Sequence, residues 1–318
     1  MEAFMTKKRN ISVEKKIFFI IFGILVTFVL IILGVGANFY TNLSHSINRT
    51  YESVERSNVQ RKTPISGDNR SPFSVLLMGI DTGDLGRAEQ GRSDTLMVAA
   101  VNPIDKQTTI VSIPRDTYVE IKGRKTMDKI NHAYAFGGTA MAIDTVQNYL
   151  DIPIDHYVSI NMKGLKELVD AIGGIEVNNR FTFSQDNYYF SIGKISLNGD
   201  QALAYSRMRY EDPNGDYGRQ ERQRKIIEGI VKKIVSFSGI SKYKMVLESL
   251  ETNMKTDMNF DEMQKVFLEY RNAFGKVQFD QLKGEGFMLE KISYQKVTVP
   301  ELKRIQQKLK DQLKLNYK

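Results

Sequence analysis

Between Ile17 and Ala37 the chain reads IFFIIFGILVTFVLIILGVGA, without one charged residue. A helix needs about 20 apolar residues to cross the hydrocarbon core of a bilayer, and within it every backbone N–H and C=O is satisfied. The N-terminal flank carries Lys7, Lys8, Arg9, Lys15 and Lys16 against Glu2 and Glu14. Under the positive-inside rule that flank stays in the cytoplasm and the rest of the chain is sent across. The sequence therefore predicts a cytoplasmic N-terminus over residues 1–16, a transmembrane anchor over 17–37 and a single-pass type II protein with its mass outside the cell membrane. The alternative is a signal peptide cleaved near Val35-Gly36-Ala37. The apolar run exceeds the roughly 7 to 15 residues of a signal h-region, which favours the anchor.

With 318 residues, 42% of them hydrophobic, one large core remains possible after the anchor is set aside. The absence of cysteine excludes disulfides, thiolate metal sites and a Cys nucleophile. The formal charge of +8 suits an anionic partner without saying which one.

Residues 38–70 are polar, with sparse apolar positions and a turn cluster at Pro64, Ser66, Gly67 and Asp68, and read as an extracytoplasmic stalk. The folded domain is expected over 71–318. It opens with the apolar run Phe73 to Ile80, the pattern of a buried central strand. Further strands are expected at Thr95 to Val101, Thr108 to Ile113, His156 to Ile160, Val277 to Leu282 and Ile292 to Val299. Helical spacing marks Thr139 to Leu150, Met162 to Ala171, Arg219 to Val235, Phe260 to Phe274 and Leu302 to Leu315, and a helix is expected to start near Gln201 after a turn at Asn198-Gly199. Phe181 to Phe190 reads as an extended insertion. The alternation predicts an α/β fold, a central sheet flanked by helices on both faces. The stripe Leu302, Ile305, Leu309, Leu313 is expected to pack inward.

After the first strand come Asp81-Thr82-Gly83-Asp84 and then Gly91-Arg92-Ser93-Asp94-Thr95, which deliver two carboxylates to one strand edge. Ligands of open α/β sheets collect at the carboxyl ends of strands. Paired carboxylates with phosphate oxygens are the hard-oxygen setting that Mg²⁺ prefers; for any single Asp, capping a turn, as Asp81 would, or an element end, as Asp94 would, is the more common case. The strand ending at Ile113-Pro114 presents Arg115 and Asp116, and Arg207-Met208-Arg209 follows later. Gly218-Arg219-Gln220-Glu221-Arg222-Gln223 opens a helix on which spacings of three and four put Arg219, Arg222 and Gln223 on one face. A helix N-terminus and Arg side chains both favour a phosphate-bearing ligand. Arg224 and Lys225 read as a solvated basic face, and Lys129 to Ala135 with Gly137-Gly138 as a loop in which His132 is held structurally or serves as a base. No nucleophile elbow, Walker loop or two-His zinc motif is present.

Gly91 to Asp94, Val111 to Asp116, Lys129 to His132, Leu197 to Arg209 and Gly218 to Gln223, in that order across residues 73–235, together resemble the LytR-CpsA-Psr family, and within it the teichoic acid transferases of Gram-positive bacteria. The resemblance implies an enzyme of cell wall biogenesis, a phosphotransferase that moves a glycopolymer phosphate from an undecaprenyl pyrophosphate carrier to a hydroxyl of peptidoglycan. It implies Mg²⁺, or another divalent cation, on Asp81 and Asp94. It implies pyrophosphate contacts from Arg92, Arg115, Arg207, Arg209, Arg219, Arg222 and Gln223, with Asp81, Asp94, Arg115 and Arg219 catalytic. Two further readings stay open: hydrolysis of the same lipid pyrophosphate, and a non-catalytic regulator at the wall. Nucleic acid is not an expected partner, since the basic residues lie outside the membrane and no recognition helix is evident.

Overall fold

The structure is a computed structural model that describes residues 50–56, 61, 71–82, 91–236, 246, 250 and 252–315. The described residues all belong to the compact unit Ser46–Lys318. The expected cytoplasmic segment and anchor, most of the stalk, and Asp84 lie outside the described residues.

Six strands form the central mixed sheet, in the order β11-β6-β1-β2-β3-β12. In chain order these are β1 (Phe73–Ile80), β2 (Ser93–Asn102), β3 (Gln107–Ile113), β6 (His156–Asn161), β11 (Met254–Thr256) and β12 (Val277–Gln281), and the numbers between them belong to two-stranded pairs outside the sheet. β1 runs parallel to β6, and β3 parallel to β12, while the β1–β2, β2–β3 and β6–β11 pairs are antiparallel. Four strands, β1, β3, β6 and β12, therefore send their carboxyl ends to the same edge of the sheet.

The period of two along β1 sorts its side chains between two cores. Leu76, Met78 and Ile80 join Val98, Ala100, Val111 and Ile113 against Ile143, Val146 and Leu150 of α1 (His132–Leu150) and Ile305 and Leu309 of the last helix. On the other face, Phe73 and Val75 pack with Met97, Ala99, Ile110, Tyr270 and Ala273. At about 1.5–3 kcal/mol for each fully buried large apolar side chain, these two layers dominate the stability of the sheet. The inward stripe of the terminal helix is as expected, with Ile305, Leu309 and Leu313 buried.

A third cluster unites α2 (Met162–Ala171), β7 (Ile175–Asn179), β10 (Gly193–Leu197), α3 (Gly199–Arg207) and α4 (Gly215–Val235) around Val169, Ile175, Val177, Phe183, Phe190, Tyr205 and Ile226. It sets α3 and α4 beside the sheet. Asn198 caps α3 rather than forming a free turn: its side chain accepts from Gln201 N at 2.9 Å, and Gln201 Oε1 accepts from Asn198 N at 3.0 Å. The expected insertion is the hairpin β8 (Phe183–Gln185) and β9 (Tyr188–Phe190), turned by Asp186 and Asn187 with φ of 50° and 65°.

Several boundaries differ from expectation. The helix expected from Thr139 starts at His132, and Gly137 and Gly138 interrupt it with non-helical φ/ψ of −145°/23° and 62°/−152°. The helix expected over Phe260 to Phe274 ends at Glu269 as α5 (Phe260–Glu269), and a 3-10 turn covers Arg271–Phe274. Of the expected strand Ile292 to Val299, only β14 (Ile292–Lys296) pairs, with β13 (Glu285–Leu289), because Thr298 and Pro300 already begin α6 (Val299–Gln312). The hairpin β4 (Tyr118–Ile121) and β5 (Thr126–Lys129) went unpredicted.

The part of the expected stalk that is described lies on the domain. Tyr51 bridges Thr256 of the edge strand, and Tyr157 Oη donates to Glu52 O at 3.0 Å. Arg56 pairs with Asp257, and Arg61 binds both carboxylate oxygens of Asp155 at 2.5 and 3.1 Å.

Candidate active site

The four convergent strand ends create the site. Gly79 lies opposite Thr95, but the next residue, Ile80, pairs with Ser93, so Asp94 is the extra residue of a β-bulge. A bulge turns a side chain that strict alternation would send elsewhere. Here it lets Asp94 and the strand-ending Asp81 line the same cavity, of about 320 Å³. Both backbones are tied to one carbonyl, since Asp81 N and Asp94 N donate to Arg92 O at 3.0 and 3.1 Å. Gly91 is required for this closeness, because a Cβ there would lie 2.8 Å from Asp81 O.

Arg115 leaves the end of β3 and donates from Nη1 to Asp94 Oδ2 at 2.7 Å. Opposite it, Arg219 stands in the first turns of α4 with Nη2 2.6 Å from Asp216 Oδ1. Asp216 also accepts from Gln220 Nε2 at 2.9 Å, and Arg209 Nε lies 3.9 Å from it. Asp216 was not singled out in the sequence; an acid three residues before an Arg at a helix start was the available signal. Arg207 pairs with Asp186 of the β8–β9 turn at 2.7 Å.

Burial works to lower the Arg115 guanidinium pKa, but the charge and hydrogen bond of Asp94, with Asp216 and Asp116 behind it, leave it raised. For Arg219 burial wins and the pKa is lowered; Asp216 opposes the shift and the like charge of Arg115 adds to it. Arg115 Nε and Arg219 Nε are buried with no hydrogen-bond acceptor among the described residues. An unmet buried donor costs about 1–3 kcal/mol.

Of the residues singled out in the sequence, Asp81, Asp94, Arg115, Arg207, Arg209, Arg219 and Gln223 line this one cavity. Its remaining wall is partly apolar, with Ile160, Met162, Leu165 and Leu203. Arg92 and Arg222 do not line it. The Arg92 side chain is exposed, and what it contributes to the site is its carbonyl. Arg222 is 3% exposed and turned away. The expectation of one face for Arg219, Arg222 and Gln223 fails because adjacent helical residues are about 100° apart, so Arg222 and Gln223 cannot both point into a narrow pocket. Arg224, expected to be solvated, is half-buried and donates to Ser112 Oγ at 3.1 Å. His132 is held by Asp128 at 2.9 Å from Nδ1 and does not line the cavity.

Residues 37–311 match the LytR_cpsA_psr family. The chain belongs to that family. Among LytR_cpsA_psr relatives, a protein of Enterococcus faecalis named polyisoprenyl-teichoic acid–peptidoglycan teichoic acid transferase TagU is 64% identical over 302 residues, covering 95% of this chain and 99% of its own. The crystal structure of Bacillus subtilis TagU is 44% identical, with a TM-score of 0.62 over 78% of this chain and 99% of that one. A structure from Enterococcus faecalis described as a transcriptional regulator is 48% identical, with a TM-score of 0.72 over 80% and 92%. The family expected from the motifs is thus the family found.

Proposed function

We propose that the protein transfers a glycopolymer phosphate, with wall teichoic acid as the polymer, from a polyisoprenyl pyrophosphate carrier to a hydroxyl of peptidoglycan in a Gram-positive envelope. The observation that carries this reading is the grouping of two carboxylates and four arginines, Arg115, Arg207, Arg209 and Arg219, around a cavity whose remaining lining is partly apolar. That combination suits a pyrophosphate joined to a hydrocarbon chain. The transferase names of relatives covering nearly the whole chain support it.

In the reaction, the acceptor hydroxyl oxygen attacks the phosphorus that bears the glycopolymer. The bond from that phosphorus to the bridging oxygen breaks, and polyisoprenyl phosphate leaves with the electron pair. The hydroxyl proton passes to a carboxylate of the site or to solvent. Arg115 and Arg219 hold the pyrophosphate through donors that are already desolvated and oriented, so charge developing on the leaving phosphate is met without reorganisation. Arg207 and Arg209 add charge from the α3 side.

Asp81 and Asp94 are the residues that would hold Mg²⁺. No group of three or more His, Cys, Asp or Glu side chains suited to a metal occurs among the described residues. Two carboxylates, with phosphate oxygens and water completing the set, fit a cation that binds few protein ligands. Bound there, the ion would supply positive charge against the pyrophosphate oxygens.

This reading also places residues 17–37 in the membrane and the domain on its outer side, where the lipid carrier resides. The test is to incubate the full-length protein with a synthetic polyisoprenyl pyrophosphate glycan, Mg²⁺ and peptidoglycan oligomers. Glycan joined to the oligomer with release of polyisoprenyl phosphate is expected. Release without joining would make it a hydrolase, and no release would leave only a binding role.

A further inference from the structure

We infer that Asp212 and Arg222 form a buried clamp that positions Arg207 and Arg209 for the donor pyrophosphate, Arg222 itself making no contact with it. The inference rests on the transferase reading and adds two positioning residues to it.

Arg222 spends its guanidinium inside the protein. Nε donates to Tyr205 O at 3.2 Å, Nη2 donates to Met208 O, and Nη1 pairs with Asp212 Oδ2. The two carbonyls lie on either side of Arg207, so one side chain fixes the last turn of α3 and the first residue beyond it. Met208 is extended, at φ −54° and ψ 135°, and 1% exposed. With Met208 buried, Arg207 and Arg209 both reach the cavity.

Asp212 closes the loop from the other side. Its N–H donates to Arg209 O at 3.3 Å, and its Oδ1 accepts from Asn214 N at 2.8 Å. α4 approaches this carboxylate only because residue 218 is glycine; a Cβ there would overlap the Asp212 side chain. The Arg222 guanidinium carbon also lies 5.4 Å from the Phe183 ring centroid.

Four arginines around one cavity repel one another, and long exposed side chains on a free loop would spread into solvent. A buried pair with its hydrogen bonds made holds the loop backbone against that tendency, and removing one partner strands the other. Arg222→Ala can therefore fail to fold, so the informative variants are Asp212→Asn, of equal shape, and Arg222→Lys, which keeps the charge but loses the planar fork.

The test uses the full-length protein and two readouts: transfer kinetics with the synthetic donor, and the rise in melting temperature on adding inorganic pyrophosphate. Asp212→Asn and Arg222→Lys are expected to raise KM for the donor at least tenfold with kcat reduced less than threefold, and to lose most of the pyrophosphate-induced rise. In an Arg207→Ala/Arg209→Ala background, Asp212→Asn is expected to add less than twofold, because the residues it positions are gone. Additive losses in that background, a fall in kcat at unchanged KM, or clamp variants that no longer unfold cooperatively would each overturn the inference. If the wild type shows no transfer yet is stabilised by pyrophosphate, the transferase reading fails while the melting readout still decides the clamp; no stabilisation of the wild type overturns the clamp as well.

Discussion

Arg115 Nη1 meets Asp94 Oδ2 at 2.7 Å across two neighbouring strands, one residue supplied by a bulge and the other by a strand end. The contact orients the Arg115 guanidinium; on the proposed reading Asp94 would also be a carboxylate for a cation and Arg115 a donor to the pyrophosphate. Arg115→Ala is expected to lower kcat/KM for donor transfer by about 100-fold or more, the scale of losing one preorganised donor to developing charge. Arg115→Lys should recover little, since an ammonium cannot hold Asp94 and the pyrophosphate together through a planar fork. Steady-state kinetics of both variants settle this, and a lysine variant at more than half the wild-type rate would refute it.

Removing divalent cations should stop transfer, and adding Mg²⁺ should restore it. Asp81→Asn is expected to raise the Mg²⁺ concentration needed for half-maximal rate by roughly tenfold, the equivalent of about 1.4 kcal/mol. Full activity after exhaustive chelation would exclude the metal reading.

Gly218→Ala forces a methyl group onto the Asp212 carboxylate. Overpacking of a tight site costs about 1–3 kcal/mol, so the melting temperature should fall by several degrees. Gly286→Ala is the control: a Cβ there meets nothing within 4 Å. Equal melting temperatures for the two variants would contradict the packing described at the α4 start.

Asp280 ties β12 to α6. Burial alone would raise its carboxyl pKa, but hydrogen bonds from Arg304 and Lys308 and from the Gln281 N–H hold it well below the usual range. A folded-state pKa below the unfolded value gives stability that is present above about pH 4 and lost as pH falls toward the depressed value. Asp280→Asn should therefore lower the urea midpoint at pH 7, with the difference from wild type narrowing as pH drops below about 4. A difference that grows in acid would reverse the sign of this argument.

How far the sequence could be read depended on how local the cause was. The run Phe73 to Ile80 and the helix Met162 to Ala171 have the bounds expected, because unbroken apolar character and helical spacing are properties of the segment alone. The strand expected to reach Val299 stops at Lys296, because Thr298 and Pro300 favour a helix start more strongly than Val297 and Val299 favour a strand. The hairpin over Tyr118–Lys129 was missed because its strands are four residues long and partly exposed, too short for a pattern. Helical spacing grouped Arg222 with Arg219 and Gln223 but could not say which of the two flanking directions the pocket occupies; Asp212, ten residues earlier, decided it.

By itself, the sequence determined the apolar segment at 17–37, the absence of cysteine chemistry, the α/β alternation and the set of carboxylates and arginines from which the site is drawn. These follow from composition, spacing and segment length. Only the tertiary structure decided that Asp94 sits on a bulge beside Asp81, that Asp216 links Arg209 to Arg219, and that Arg222 faces inward while Gln223 faces the cavity. Those outcomes turn on strand register and on which face of α4 packs against the third core. Both are set by contacts between residues far apart in the chain, which no local pattern records.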